Sequence, residues 1–257
     1  MPAKKRVLMS LLEDNDGLAR KLAEEVRRCG LDVTAHLWDP DPKAMAFGAY
    51  ARELASCQAW IVVGGDYADK WVRQSLALCA LCVQAEQGHA FPILLSPRGP
   101  APELLSLPTP LTGAEVVKSG LGAKAAVRAQ TFTAAPADYR LTPHGLGQLG
   151  LWFELGPKEG FWDGAFFASG CAKSEEGRPQ AHGVGPKGSI PEKCTLNYPV
   201  TGLTLVLHDI DCVGYGVKNT LNAASSYFVK VSACPDVLSF GPFPDTDEAE
   251  LFTLNLA

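Results

Sequence analysis

The sequence has no apolar run near the roughly 20 residues that a bilayer-spanning helix needs. It also has little net charge: 23 basic and 28 acidic residues give −5, so no general affinity for nucleic acid or anionic lipid is implied. Eight cysteines in a chain of 257 residues, with no spacing that indicates pairs, fall well short of a disulfide scaffold. With 47% apolar and 20% charged residues, the chain is neither disordered nor collagen-like and can bury a substantial core.

The start of the chain has a superficial likeness to a signal peptide. Three basic residues, Lys4 to Arg6, precede an apolar run, but that run spans only residues 7–12 and contains Ser10. Four polar residues follow at once, whereas the apolar core of such a peptide takes roughly 7–15 residues. We therefore expect a soluble cytoplasmic protein without a membrane partner.

The two halves of the chain differ in charge. Residues 1–130 contain 15 basic and 14 acidic residues, a charge of +1, whereas residues 131–257 contain 8 and 14, a charge of −6. Together with the length, which exceeds the usual size of one domain, this split predicts two domains.

The first half alternates short apolar runs with amphipathic segments. This rhythm predicts a doubly wound parallel sheet with helices on both faces, an α/β domain over residues 1–130. Ligands of such sheets bind beyond the carboxyl ends of the strands, here the segments 10–16, 38–48 and 64–71. The strands are predicted at 6–12, 31–38, 59–63, 91–95 and 114–117, and the helices at 18–29, 44–56, 69–87 and 123–129.

The second half has short alternating runs between glycines and prolines. This pattern predicts an antiparallel β-sandwich or partial barrel over residues 135–257, with the domain boundary near 115–135. The stretch from Ser174 to Lys193 is predicted to be a long loop. The clearest strand candidates are 149–155, 164–168, 203–207, 227–231 and 251–256.

Four spaced features of the first half resemble the TIR-domain family. The resemblance covers about residues 5–97 and extends to about 130, and it implies the flavodoxin-like α/β fold of that family. Another doubly wound domain, such as a flavodoxin- or deoxyribosyltransferase-like one, is the alternative. The features are Val7-Leu8-Met9-Ser10 with Glu13-Asp14 and Asp16, Gly30-Leu31-Asp32-Val33 leading to Trp38-Asp39, Ala51–Cys57 before the third strand, and Asp66–Leu76, which is similar to the family motif S-x-W-C-x-x-E-L.

Catalytic members of the TIR family cleave the nicotinamide–ribose bond of NAD with a glutamate on this last helix. A carboxylate there stabilises the oxocarbenium-like centre that develops at the ribose. When the motif is aligned on Trp71, the glutamate position falls on Ser75, whose neutral hydroxyl cannot supply that charge. Glu53 lies on another helix and Glu86 at the far end of this one, so neither is a natural replacement.

The remaining candidates for nucleotide binding are side chains at the predicted cleft. Tryptophans could stack on an adenine or nicotinamide ring, and aspartates could bond ribose hydroxyls. The alternative is that the tryptophans pack at the edge of the core and the aspartates cap helices. Gly64-Gly65-Asp66 lacks both the G-x-G-x-x-G spacing and a P-loop lysine, so it is a weak phosphate signal. The candidates are Ser10, Asp14, Trp38, Asp39, Asp66, Trp71 and Ser75.

Two other groups of residues contain side chains that are common in redox or metal sites, but their positions in the predicted elements do not favour such a site. Cys79 and Cys82 have redox-motif spacing, yet they lie mid-helix among leucines, which favours buried packing. In His208-Asp209-Ile210-Asp211-Cys212, strand alternation would place the ligands on opposite faces. Any zinc site would have to recruit His144, His182, Cys171 or Cys194 without a metal-site spacing, so we predict no metal.

We therefore expect a TIR-like signalling or interaction protein. It would bind a protein partner, self-associate through the TIR-like domain, or bind NAD or a related nucleotide, without efficient NAD cleavage. The acidic β domain would act as sensor or effector. One alternative is an enzyme acting on an N-glycosidic bond, either an NAD nucleosidase or a nucleoside deoxyribosyltransferase relative. Another is that the β domain carries the main activity.

Overall fold

The computed structural model describes residues 4–39, 45–98, 107–135, 137, 139–245 and 250–257. The chain divides into two compact units, Met1–Pro136 and Ala137–Ala257. We call them the α/β unit and the β unit, and each is described by itself.

The α/β unit is built around a five-stranded parallel sheet. The strand order is β2-β1-β3-β4-β5, which is the flavodoxin-like doubly wound order, so the predicted architecture is confirmed. Of the helices in the described ranges, none is both long and apolar enough to span a membrane. The elements are β1 (Arg6–Leu11), α1 (Asp16–Arg28), β2 (Asp32–Leu37), α2 (Phe47–Leu54), β3 (Ala59–Val63), α3 (Lys70–Gln87), β4 (Ile93–Ser96), β5 (Glu115–Val116) and α4 (Leu121–Thr131).

Side-chain caps begin the two helices that follow the central strands. Asn15 accepts a hydrogen bond from the Leu18 N–H at the start of α1, at 3.0 Å. Asp69 accepts one from the Val72 N–H at the start of α3, at 2.9 Å. Both bonds satisfy amides that have no partner within the helix. These caps set the first residues of α1 and α3, close to the carboxyl ends of β1 and β3.

The two faces of the parallel sheet are covered differently. Helices α1 and α4 bury one face, where the apolar side chains of β1 and β3 alternate with those of the other face. That other face contains Leu8, Ser10 and Trp60, and Tyr50 of α2 packs against it. The apolar cluster under α1 and α4 is formed by Val7, Met9, Ala23, Val26, Leu31, Val33, Ala59, Ile61, Val63, Leu94, Val117, Leu121, Ala125 and Ala129.

The β unit is a sandwich of two antiparallel sheets, as predicted. One sheet has the order β6-β7-β12-β9 and the other β10-β11-β8-β13-β14. Phe153 of the first stacks on Phe167 of the second, with ring centroids 5.4 Å apart. The strands are β6 (Tyr139–Gly145), β7 (Leu151–Pro157), β8 (Phe161–Gly170), β9 (Pro179–Pro186), β10 (Val200–Leu207), β11 (Ile210–Asn222), β12 (Ser225–Val231), β13 (Val237–Gly241) and β14 (Phe252–Asn255).

The prediction of one long loop from Ser174 to Lys193 is wrong, because β9 lies within it. Glycines in this segment indicated a loop, but in the structure they permit close approach of the chain that follows the strand. A Cβ at Gly183 would lie 3.0 Å from Pro191, and one at Gly185 would lie 3.2 Å from it. The strand therefore keeps its pairing with β12 while residues 189–194 pack against its two glycines.

We predict that Gly122→Ala destabilises the α/β unit. Alanine favours helix by about 0.5–1 kcal/mol, but its Cβ would lie 2.7 Å from the Glu25 carbonyl oxygen of α1. Separating α1 from α4 costs about 1–3 kcal/mol, so the net free energy of unfolding should fall. Urea unfolding measures this, with Gly113→Ala as the control, because a Cβ at Gly113 meets nothing within 4 Å. Equal stability of the two variants would contradict the close helix contact.

Candidate functional site

The predicted ligand-binding edge is the carboxyl end of the parallel sheet. Its topological switch point lies between β1 and β3, which are followed by residues 12–15 and 64–69. Glu13 Oε1 accepts a hydrogen bond from the Gly65 N–H at 3.0 Å and so ties the two loops together. Gly65 has φ +89°, and a Cβ there would lie 2.3 Å from Leu12 Cδ1. The Glu13 carboxylate and the Leu12 side chain therefore already occupy the space beside Gly65.

Ser10 lies on β1 and has no exposed surface. Its hydroxyl accepts a hydrogen bond from Trp60 Nε1 at 2.9 Å and lies 2.7 Å from His36 Nε2. The parallel strand pairing explains why these three side chains lie together. Ser10 is in register with His36 of β2 and with Val62 of β3, and Val62 lies two residues after Trp60 on the same strand. The hydroxyl thus has two partners within the sheet face.

Four rings form what we call the aromatic cluster: His36, Trp38, Tyr50 and Trp60. Trp38 lies 4.5 Å from Tyr50 and 5.9 Å from Trp60 between ring centroids, and His36 lies 4.2 Å from Tyr50. Trp38 is only 5% exposed. The Trp38 indole therefore packs against other rings of the protein and is not exposed for stacking on a nucleotide base.

His36 lies at the border of this cluster. Its Nδ1 is 3.9 Å from Glu53 Oε2 of α2. Burial lowers the pKa of the His36 imidazole, and the nearby Glu53 carboxylate opposes that shift only in part. The ring is therefore neutral at pH 7, and the Ser10 hydroxyl can donate to its Nε2.

The three candidate aspartates of this edge are exposed. Asp66 Oδ1 accepts the Ala68 N–H at 2.9 Å, which shapes the turn before α3. The Asp39 N–H donates to the Tyr50 hydroxyl at 3.0 Å. Asp14 lies beside the helix cap Asn15 and does not itself cap α1. Three exposed carboxylates thus lie along the described part of this rim.

Helix α3 carries the last two candidates. Ser75 is 3% exposed, and its hydroxyl donates to the Val72 carbonyl of the same helix at 3.1 Å. Trp71 is half-buried, and its Nε1 is buried without a hydrogen-bond partner among the described residues. Further along, burial raises the pKa of Cys79 well above its usual value and that of Cys82 to about 12. These thiols are therefore protonated and unreactive at neutral pH.

The β unit holds a buried polar group that we call the Arg140 network, formed by Arg140, His144, Glu154 and Ser226. Arg140 donates to the Ser225 carbonyl at 2.7 Å and to Ser226 Oγ at 2.9 Å, as well as to the Pro157 and Ala223 carbonyls. Ser226 Oγ in turn donates to Glu154 Oε1 at 2.6 Å. His144 Nε2 lies 2.8 Å from Glu154 Oε2.

The network orders the chain that follows β9. The Gly188 N–H donates to Glu154 Oε1 at 2.8 Å. Burial acts to raise the pKa of the Glu154 carboxyl, but hydrogen bonds from His144, Ser226 and Gly188 outweigh it and hold that pKa below its ordinary value. Ser226 is fully buried and donates to the carboxylate, so it is not a nucleophile activated by His144. The network stabilises the fold and lacks the geometry of a catalytic triad.

The other candidate ligand residues lie apart from this network. His182 Nδ1 lies 2.7 Å from the Tyr227 hydroxyl. His208 and Asp209 have φ of 49° and 62° and form the two-residue turn between β10 and β11. Within the described ranges, no three His, Cys, Asp or Glu side chains are grouped so that they could hold a metal ion.

The sequence did not predict several of the contacts described above. Once β1 and β2 are aligned as parallel neighbours, strand alternation indicates that Ser10 and His36 share a face. The sequence could therefore have predicted this contact. The contact of Glu13 with Gly65 depends on two loop conformations. The Arg140 network joins residues up to 86 positions apart, and no local pattern indicates such a pairing.

No protein-family model matches the chain, and no curated protein is similar to it in sequence. Among solved structures, the chain is similar to a 3-dehydroquinate dehydratase-like protein from Bifidobacterium longum, at 19% identity and a TM-score of 0.34. The match covers 50% of this chain and 97% of that chain. A likeness at this score carries no argument about function.

We predict that Ser10→Ala lowers the free energy of unfolding by about 1–3 kcal/mol, because the buried Trp60 N–H loses its acceptor. Urea unfolding of the α/β unit within the full chain measures the change. Ser119→Ala, at an exposed position, is the control and should change stability little. If Ser10→Ala were as stable as the control, the hydroxyl would not be committed to packing.

We predict that Glu154→Gln lowers stability at pH 7 by about 2–4 kcal/mol, because the Ser226 hydroxyl, the Gly188 N–H and His144 lose a buried carboxylate acceptor. The depressed folded-state pKa means that the carboxylate stabilises the fold above its unfolded value, near 4.5, and that this contribution is lost as pH falls through the folded value. Stability should therefore fall less steeply in acid for Glu154→Gln than for the unmodified chain. The exposed Glu159→Gln variant should keep the original slope. Identical slopes for all three proteins would contradict the assignment.

Proposed function

We propose that the chain is a TIR-like binding protein of cytoplasmic signalling that does not cleave NAD efficiently. Its α/β unit binds a protein partner at the carboxyl edge of the parallel sheet, and its β unit serves as sensor or effector. The observation that carries the proposal is the environment of Ser75.

Ser75 occupies the position that matches the catalytic glutamate of the TIR motif. Its side chain is buried, and its hydroxyl is bonded to its own helix. Developing positive charge on a ribose needs a carboxylate within contact distance, and a hydroxyl held in this way supplies neither charge nor contact. This argues against efficient cleavage of the nicotinamide–ribose bond.

The rest of the edge favours a protein partner over a dinucleotide. The Gly65 N–H is bonded to Glu13, and the Ser10 hydroxyl is bonded within the sheet face. The exposed candidates, Asp14, Asp39 and Asp66, are carboxylates. Carboxylates repel the pyrophosphate of NAD and attract a basic surface.

One observation favours the alternative, an enzyme acting on an N-glycosidic bond. Asp14 and Asp66 are exposed carboxylates beside the switch point, where an oxocarbenium-like centre could be stabilised. Neither lies on the helix face that carries the catalytic glutamate of the TIR family. The alternative therefore requires a rearranged active site.

Incubation of the full chain with NAD separates the two functions. We expect no nicotinamide release above that of a heat-denatured sample, measured by liquid chromatography. Asp14→Asn and Asp66→Asn should leave this baseline unchanged, as should Glu24→Gln on the exposed face of α1.

Turnover by the unmodified chain that falls about 100-fold or more in Asp14→Asn or Asp66→Asn, but not in Glu24→Gln, would establish the enzyme instead. Ser75→Glu is a poor test of gained activity, because it would place a carboxylate in a buried position and destabilise the helix.

A further inference from the structure

Strand β10 lies at the edge of its five-stranded sheet and pairs only with β11 among the described strands. Its side chains are exposed to an unusual degree for an apolar strand: Leu203 is 42% exposed and Val206 64%. An edge strand presents a row of backbone N–H and C=O groups that can pair with another chain.

The strand lacks the features that normally prevent such pairing. No charged residue occurs from Cys194 to Leu207, and residues 203–207 contain neither proline nor glycine. The only irregularity in its pairing with β11 lies between Val200 and Leu203, at the far end from the turn. Residues 203–207 therefore form a regular, neutral, apolar edge.

The hairpin turn determines which backbone groups point outward. Leu207 and Ile210 flank the two-residue turn and form a hydrogen-bonded pair. Hydrogen-bonded residues alternate along an antiparallel strand, so Leu203, Leu205 and Leu207 bond to β11. The N–H and C=O groups of Thr204 and Val206 point away from the sheet.

We propose that β10 pairs with β10 of a second copy of this chain, antiparallel and about a twofold axis at Leu205. This register sets Thr204 opposite the partner's Val206 and Val206 opposite the partner's Thr204, which joins the outward groups in four backbone hydrogen bonds. The inference goes beyond the proposed function, because the surface belongs to the β unit.

The pattern Leu-Thr-Leu-Val-Leu makes the strand complementary to itself. Leu203, Leu205 and Leu207 share one face and meet the partner's Leu207, Leu205 and Leu203, while the β-branched side chains pair on the other face. Because both strands are neutral, their pairing brings no like charges together. A twofold contact uses the same surface on both copies, so it produces a dimer and not a longer assembly. The contact is small beside the roughly 1,200–2,000 Å² of a stable interface, so the dimer is weak and reversible.

Sedimentation equilibrium of the full chain, at concentrations from micromolar to about one millimolar, measures the dimer. Val206→Lys places an ammonium group at the strand edge and should raise the dissociation constant at least tenfold. Val127→Lys is the matched control, because Val127 is 60% exposed on α4, and it should leave the constant unchanged.

Cysteine cross-linking tests the register. In a Cys194→Ser background, Leu205→Cys brings two thiols together at a non-hydrogen-bonded pair, where Cα atoms are about 4.5 Å apart, and diamide should oxidise them to an intermolecular disulfide. Thr204→Cys faces the partner's Val206 and should give little cross-linked dimer.

A chain that stays monomeric at all concentrations and does not cross-link at 205 would overturn the proposal. So would a dimer that Val206→Lys and Val127→Lys affect equally, because the contact would then lie elsewhere. A dimer weakened by Val206→Lys that cross-links at 204 rather than 205 would overturn the twofold register, as pairing with another edge strand would.

Discussion

The hydrogen bond from the Trp60 indole to the Ser10 hydroxyl shows the constraint on which the α/β unit depends. A buried polar group without a partner costs about 1–3 kcal/mol, so the polar side chains on this sheet face must bond to one another. His36 completes the arrangement, and the rings of Trp38 and Tyr50 cover it. These polar groups and rings are thus committed to contacts within the sheet face and are not available to a ligand.

The β unit satisfies the same constraint with charged groups. Arg140 gathers carbonyl oxygens from the ends of neighbouring strands, and Glu154 accepts bonds from Ser226, His144 and the Gly188 N–H. Gly188 directly precedes the residues that pack against Gly183 and Gly185 of β9, so its bond to the buried carboxylate helps to hold that segment in place. The two ionised groups are linked through the Ser226 hydroxyl and hold neighbouring strands and the following segment together.

The predictable parts of the structure are those that one local pattern determines. Continuous apolar runs indicated β1 and β3, and β12 was predicted from its alternation at 227–231. Strands β9 and β11 were missed because their glycines, such as Gly183 and Gly214, resemble turn signals, although they admit neighbouring side chains against the sheet. Whether Ser75 is buried, and which groups meet Glu154, depends on tertiary packing that no local pattern contains.

Two of the exposed surfaces, the rim of the parallel sheet and strand β10, have opposite physical character. The rim of the parallel sheet carries the carboxylates of Asp14, Asp39 and Asp66, so the proposed binding of a basic partner there would weaken as salt screens the charges. Strand β10 is neutral from 203 to 207 and pairs through backbone groups and leucines, which salt affects little. Ionic strength would therefore separate the two proposed contacts, because salt would weaken partner binding at the rim and leave pairing of β10 in place.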